Sequence, residues 1–249
     1  GWGTSFKYHE NQLVVLPEEI TNDQAILIEP LSCSLRGVLR AKPQAEDNVL
    51  VIGAGTIGLC TLASIKAINP DANTSVMVKY DFQAEAARKL GADEVITGKD
   101  IEEYLEDKTK AVKYQGYFGN KTYIGGFDLI FDCVGTASTI QNSLRWAKGK
   151  GKVMVLGIDL KQGKLDYTPV WYQEVDLLGS LIHGTEDWKG KKKSTFEIVI
   201  ELLKTKKIPS TISEIITHRY NIFDYKEAIK VAFNKEKNRA IKVIFDYEN

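Results

Sequence analysis

The chain has 249 residues, 33 basic side chains against 33 acidic ones, 43% hydrophobic residues and 10% aromatic ones. That length can bury a sizeable core in one large domain or two smaller ones. Balanced charge leaves no global field to attract nucleic acid or an acidic membrane surface, and no apolar run approaches the roughly 20 residues that span a bilayer.

Taken in chain order, the middle of the sequence alternates two kinds of run. Residues 48–53 (NVLVIG) form a short apolar run ending in glycine, the pattern of a strand buried on both faces. Residues 57–68 predict a helix ended by Asn69-Pro70. A second strand at 75–80 precedes a helix at 82–90 stopped by Gly91, and 94–97 is a short third strand. Residues 101–113 predict a polar helix, and 114–126 a loop containing Gly and Tyr. A fourth strand (127–133), a helix (138–148), a fifth strand (152–157) and a sixth (175–181) follow. Strands alternating with helices imply right-handed crossovers, hence an α/β fold with a doubly wound parallel sheet of Rossmann type and six strands. The lysine-rich run at 189–193 (KGKKK) is expected as a solvated helix entrance. Beyond it, 194–207 carry a helical apolar stripe, Asp224 can cap a helix running to about Phe233, and 240–247 predict a final strand.

Gly53-Ala54-Gly55-Thr56-Ile57-Gly58 fits the pattern G-x-G-x-x-G between a strand and a helix. In that setting Gly53 allows the tight turn, Gly55 the close approach of a pyrophosphate, and Gly58 the contact of helix with strand. Free N–H groups of the first helical turn then face the phosphates, with Thr56 and Ile57 among the binding residues. About 20 residues past the last glycine an NAD site places an acid on the ribose hydroxyls. Val78 stands there, followed by Lys79 and Tyr80. A lysine can meet a 2′-phosphate and Tyr80 can stack near adenine, which favours NADP(H) over NAD(H). The alternative is that Lys79 is solvated and Asp81 reaches back to the ribose.

The three cysteines, Cys33, Cys60 and Cys133, are odd in number and far apart. They fit a reducing compartment with no disulfide framework, and a cytoplasmic address. No CxxC or HExxH motif offers a self-contained zinc site. The sequence opens on Gly-Trp-Gly-Thr with neither an initiator Met nor a signal-peptide pattern, so a fragment of a longer protein is expected.

Several stretches, in order, resemble the medium-chain dehydrogenase/reductase family in its zinc-dependent alcohol, polyol and threonine dehydrogenase branch. They are ILIEPLSCSLRGVLRA (26–41), VLVIGAGTIGL (49–59), ARKLGADEVI (87–96), FDLIFDCVG (127–135), GKVMVLGI (151–158) and the ending from His218. The resemblance implies a catalytic domain that is mostly absent here. Residues 1–41 would be its remnant with a connecting helix, 42–185 the NAD(P)-binding domain, and 186–249 C-terminal helices with a return strand. It also implies that Glu29 supplies a zinc ligand, conditional on upstream ligands; catalytic Zn2+ is expected only in the full-length protein. The main catalytic residues would lie in the absent domain, leaving this fragment inactive alone. Cys33 matches a position facing the nicotinamide; a small buried apolar role is equally open to it. Val134, Gly135, Gly157 and Ile158 end the fourth and fifth strands, where the dinucleotide lies in such folds. His183 could line the cleft, whereas His9 and His218 read as packing or surface residues. The implied substrate is a small secondary alcohol, polyol or amino alcohol, and the implied assembly a homo-oligomer through the sheet edge near 177–181. No nucleic acid or membrane partner is expected. A zinc-independent reductase of the same family and a non-catalytic nucleotide-binding module remain the alternatives.

Overall fold

In the computed structural model, residues 3, 5–99, 101–116 and 121–247 are described. The chain enters through α1 (Asn22–Ala25), which opens on a capping box between Thr21 and Gln24. Next comes α2 (Ile28–Ala41), stopped by the left-handed Lys42. Then β1 (Asn48–Ile52), α3 (Thr56–Ile68), β2 (Asn73–Val78), α4 (Asp81–Lys89), β3 (Glu94–Thr97) and α5 (Ile101–Thr109) alternate as the sequence implies. The hairpin β4 (Val112–Gln115) and β5 (Lys121–Ile124) intervenes before β6 (Phe127–Asp132), α6 (Ala137–Trp146) and β7 (Ala147–Val155). After α7 (Thr168–Tyr172) and β8 (Asp176–Gly179), the chain forms a second hairpin, β9 (Thr185–Trp188) and β10 (Lys191–Ser194), which leads into α8 (Thr195–Lys204). The tail comprises β11 (Ile216–Asn221), α9 (Tyr225–Phe233), α10 (Lys235–Asn238) and β12 (Lys242–Asp246).

Six strands form one parallel sheet in the order β3-β2-β1-β6-β7-β8. Strand order reverses at β1, whose neighbours are β2 and β6, and the crevice above that switch point is where α/β sheets bind ligands. β1 shows why its sequence is an unbroken apolar run. Val49 and Val51 pack on one face with α2, α3 and α8, while Leu50 and Ile52 pack on the other with α5 and α6.

Three expectations need correction. The residues past Thr109 leave the helix because Lys110 adopts φ 55°, and 112–115 pair antiparallel with 121–124 instead of looping; 117–120 lie outside the described residues. The KGKKK run is the turn and second strand of a hairpin. Lys189 and Gly190 both have positive φ, the geometry that two-residue hairpin turns need, and Trp188 Nε1, Lys189 and Lys193 all reach Glu201 on α8. The sixth strand is shorter than expected, at Asp176–Gly179. The expected final strand is present as β12, and it pairs in parallel with β11, which places Tyr220 beside Phe245. Among the described residues, no helix is long and apolar enough to cross a membrane.

Candidate nucleotide site

The turn after β1 is built from backbone. Gly53 has φ +92° and donates its N–H to Met77 O at 2.9 Å, tying it to β2. A Cβ at Gly58 would stand 1.7 Å from Gly53 O, so α3 lies directly on the turn. Gly55 is the opposite case: a Cβ there meets nothing within 4 Å. It is the N-cap of α3, offers no side-chain cap, and the first helical turn carries no acid. The opening above Gly55 is therefore met by N–H groups and a positive helix end with no built-in counter-charge. The Thr56 hydroxyl donates to Ile241 O at 3.3 Å, and Ile57 O accepts from Ser34 and Thr61.

The strands across the switch point end just as tightly. Asp132, fully buried, accepts the N–H groups of Val134 and Gly135 on Oδ1 at 2.9 Å each. Its carbonyl takes those of Leu156 and Gly157 at 2.9 Å. Gly135 has φ +81°, and a Cβ on it would come within 2.3 Å of Gly157, while one on Gly157 would come within 2.2 Å of Val134. The two loops thus press main chain on main chain, leaving Val134 and Ile158 with exposed side chains along the edge. Asp132 was legible only as part of the FDCVG run. What identifies it is a carboxylate three residues ahead of a glycine with positive φ, locking the loop that Val134 and Gly135 form.

After β2, Val78 proves to be a core residue, packed with Val76, Ala84 and Ala87. An acid at that position would be buried, so the missing acid is not missing from a nucleotide contact. The strand alternates faces, and the side chains left at the edge are Lys79, exposed, and Tyr80, half-buried. Lys79 Nζ lies 5.2 Å from the Tyr80 ring centroid, and Tyr80 stacks on Phe82 at 5.3 Å with the planes 10° apart. Lys79 N–H donates to Gln83 Oε1 at 3.2 Å, fixing the corner. Asp81 begins α4 and is exposed.

Glu29 sits in the first turn of α2, exposed, and accepts the Cys33 thiol at 3.2 Å one helical turn on. Burial, then the bond to Glu29, pushes the Cys33 thiol up to about 12. Burial does the same to Cys133, up to about 12, and raises Cys60 further. All three stay protonated thiols near neutrality and none forms a disulfide. Among the described residues, no group of three or more His, Cys, Asp or Glu side chains could hold a metal ion. Glu29 and Cys33 therefore do not make a zinc site by themselves. His183 packs edge-on against Phe196 at 4.7 Å, and its carbonyl accepts from Arg36. His218 pairs with Thr217 at 2.9 Å.

A pyrophosphate fits what is present: open space at Gly55, where an added Cβ would meet nothing, at a helix N-terminus, over the sheet's switch point. Comparison with known proteins gives the same class. Residues 56–197, more than half of the chain, match the family described as zinc-binding dehydrogenase. L-idonate 5-dehydrogenase of Vitis vinifera is 30% identical over 93% of this chain, and sorbitol dehydrogenase of Arabidopsis thaliana 31% identical over 93%. The chain spans 58% of the length of each of these relatives. Among solved structures, an apo zinc-dependent alcohol dehydrogenase from Streptococcus pneumonia superposes with TM-score 0.76 at 20% identity, covering 96% of this chain and 63% of that one. An alcohol dehydrogenase from Escherichia coli CFT073 complexed with NADH gives 0.73 at 22% identity, covering 92% and 60%. A Sinorhizobium meliloti dehydrogenase bound to NADP gives 0.70 at 23%, covering 93% and 61%. The fold and the carboxyl edge thus define a Rossmann-type nucleotide fold of the dehydrogenase kind. The chain belongs to the zinc-binding dehydrogenase family.

Proposed function

We propose that this chain is the cofactor-binding portion of an oxidoreductase that moves hydride between a small alcohol and a nicotinamide dinucleotide, NADP(H) in preference to NAD(H). The observation that carries the reading is the open space at Gly55, set at the N-terminus of α3 above the switch point. When bound, the nicotinamide supplies the hydride acceptor. This chain's own residues do the holding. Main-chain N–H groups of Thr56, Ile57 and Gly58 meet the pyrophosphate, while Val134, Gly135, Gly157 and Ile158 form the edge on which the nicotinamide half rests. Cys33 lies on α2 as a neutral thiol that can border the ring without contributing charge. Lys79, exposed at the strand end beside Tyr80, supports the 2′-phosphate, and Tyr80 offers adenine an aromatic face.

Sorbitol, idonate and threonine dehydrogenases among the relatives support a polyol or amino alcohol as the substrate of the whole protein. Glu29 is proposed as one oxygen donor to a zinc ion whose remaining ligands come from outside this chain. The exposed edge at β8, with Leu177 37% and Leu181 74% exposed, supports a homo-oligomer across that strand. Titration of the chain with NADPH and with NADH, followed by nicotinamide fluorescence, tests the reading. Saturable binding of both, tighter for NADPH, is expected. Failure of both to saturate removes the proposal, and tighter NADH removes its 2′-phosphate part.

A further inference from the structure

The return segment between α10 and β12 passes over the corner after β2, and its anchors are specific. Arg239 is held in the left-handed region at φ 52°. Ala240 N–H donates to Lys235 O at 3.0 Å, Ile241 N–H to Thr217 Oγ1 at 3.0 Å, and Ile241 O accepts the Thr56 hydroxyl at 3.3 Å. Three consecutive residues therefore bridge from α4 to the fingerprint helix. At the α4 end, the Arg239 guanidinium carbon lies 5.5 Å from the Phe82 ring centroid. Phe82 stacks on Tyr80, and Tyr80 carries Lys79 on its ring. The aromatic pair thus has a cation associated with each member: Lys79 from the strand end, and Arg239 from a segment about 160 residues further along the chain.

We infer that Arg239 is a specificity-determining residue of the adenosine end, the second cation on a ribose 2′-phosphate whose first is Lys79. The inference rests on the NADP(H) reading above. A phosphate favours guanidinium over ammonium because the planar fork offers paired N–H donors. Glu85 pairs with Arg239 at 3.2 Å, but both side chains are about 60% exposed. An exposed pair of this kind is weak, so Glu85 steadies the arginine without committing it. Asp81 and Glu85 are the carboxylates of this α4 end, and a lone lysine beside them leaves the corner without net positive charge; Arg239 supplies the balance.

Calorimetric titration of the full chain with 2′,5′-ADP and with 5′-AMP isolates this end of the nucleotide. The wild type should prefer 2′,5′-ADP. Arg239→Gln should lose about tenfold in 2′,5′-ADP affinity, the scale of one charge-assisted hydrogen bond, with 5′-AMP unchanged; Arg239→Lys should recover part of it. Glu85→Gln should act in the opposite direction and tighten 2′,5′-ADP a few-fold. Equal loss for both nucleotides in Arg239→Gln, or no loss for either, overturns the inference while leaving the NADP(H) reading in place. A wild type without preference for 2′,5′-ADP removes both.

Discussion

Two corners of the same carboxyl edge are made in opposite ways. After β1 the site is main chain: Gly53 at positive φ, Gly58 against Gly53 O, and open space at Gly55. After β2 it is side chains: Lys79, Tyr80 and Phe82 in a stack, with Arg239 arriving from the C-terminal segment. The difference separates two properties. Capacity to hold a pyrophosphate, as proposed, rests on backbone geometry, where a single methyl group matters. On the reading proposed above, choice of nucleotide depends on exposed cations that can be exchanged without disturbing the fold.

The largest expected effect attacks the first corner. Gly58→Ala places a Cβ 1.7 Å from Gly53 O, so α3 must move off the turn. A loss of about 3 kcal/mol is expected, visible as a fall in Tm of roughly 10 °C, together with loss of dinucleotide binding. Gly55→Ala sharpens the contrast, because its Cβ meets nothing and φ is an ordinary −81°. Thermal unfolding should stay within about 2 °C of the wild type, while affinity for both NADH and NADPH drops at least about tenfold as the methyl enters the pyrophosphate space. If Gly55→Ala bound both cofactors normally, the open space would not be the phosphate site. At the second corner, Lys79→Ala should weaken NADPH about tenfold and leave NADH within about twofold, with no change in Tm.

The smallest effect lies away from both corners and serves as their control. Glu201 accepts from Lys189, Lys193 and Trp188, which hold its carboxyl down at about 2, below its ordinary value of 4.5. The unfolded chain binds this proton first as pH falls. The contribution is therefore fully present above about 4.5 and is lost as pH drops through about 2. Glu201→Gln should flatten that part of the acid limb in Tm measured between pH 2 and 5, and leave nucleotide affinity at pH 7 unchanged.

The corners also differ in how far the sequence discloses them. NVLVIGAGTIG states its geometry locally, because each glycine answers to a contact within a few residues: Gly58 meets Gly53 O, and Gly53 turns a strand into a helix. Buried strands are similarly plain, as both faces of β1 are apolar. The second corner resists for two physical reasons. Which side chain faces the edge depends on where β2 stops, and a shift of one residue moves Val78 into the core and Lys79 out. Arg239 reaches Glu85 across 154 residues, a contact set by the return of the chain and not by any local pattern. The hairpins β4–β5 and β9–β10 were hidden for a related reason: their strands are four residues long and largely polar, so only turn conformations such as Lys189-Gly190 mark them.

The measurement that bears most directly on the whole account is a crystal structure of the chain with NADPH bound. The account predicts pyrophosphate oxygens accepting the N–H groups of residues 56–58 above Gly55, with the 2′-phosphate at Lys79. A dinucleotide seated elsewhere, such as the cavity lined by Lys99, Lys121 and Arg145, or a pyrophosphate remote from the α3 N-terminus, would contradict it.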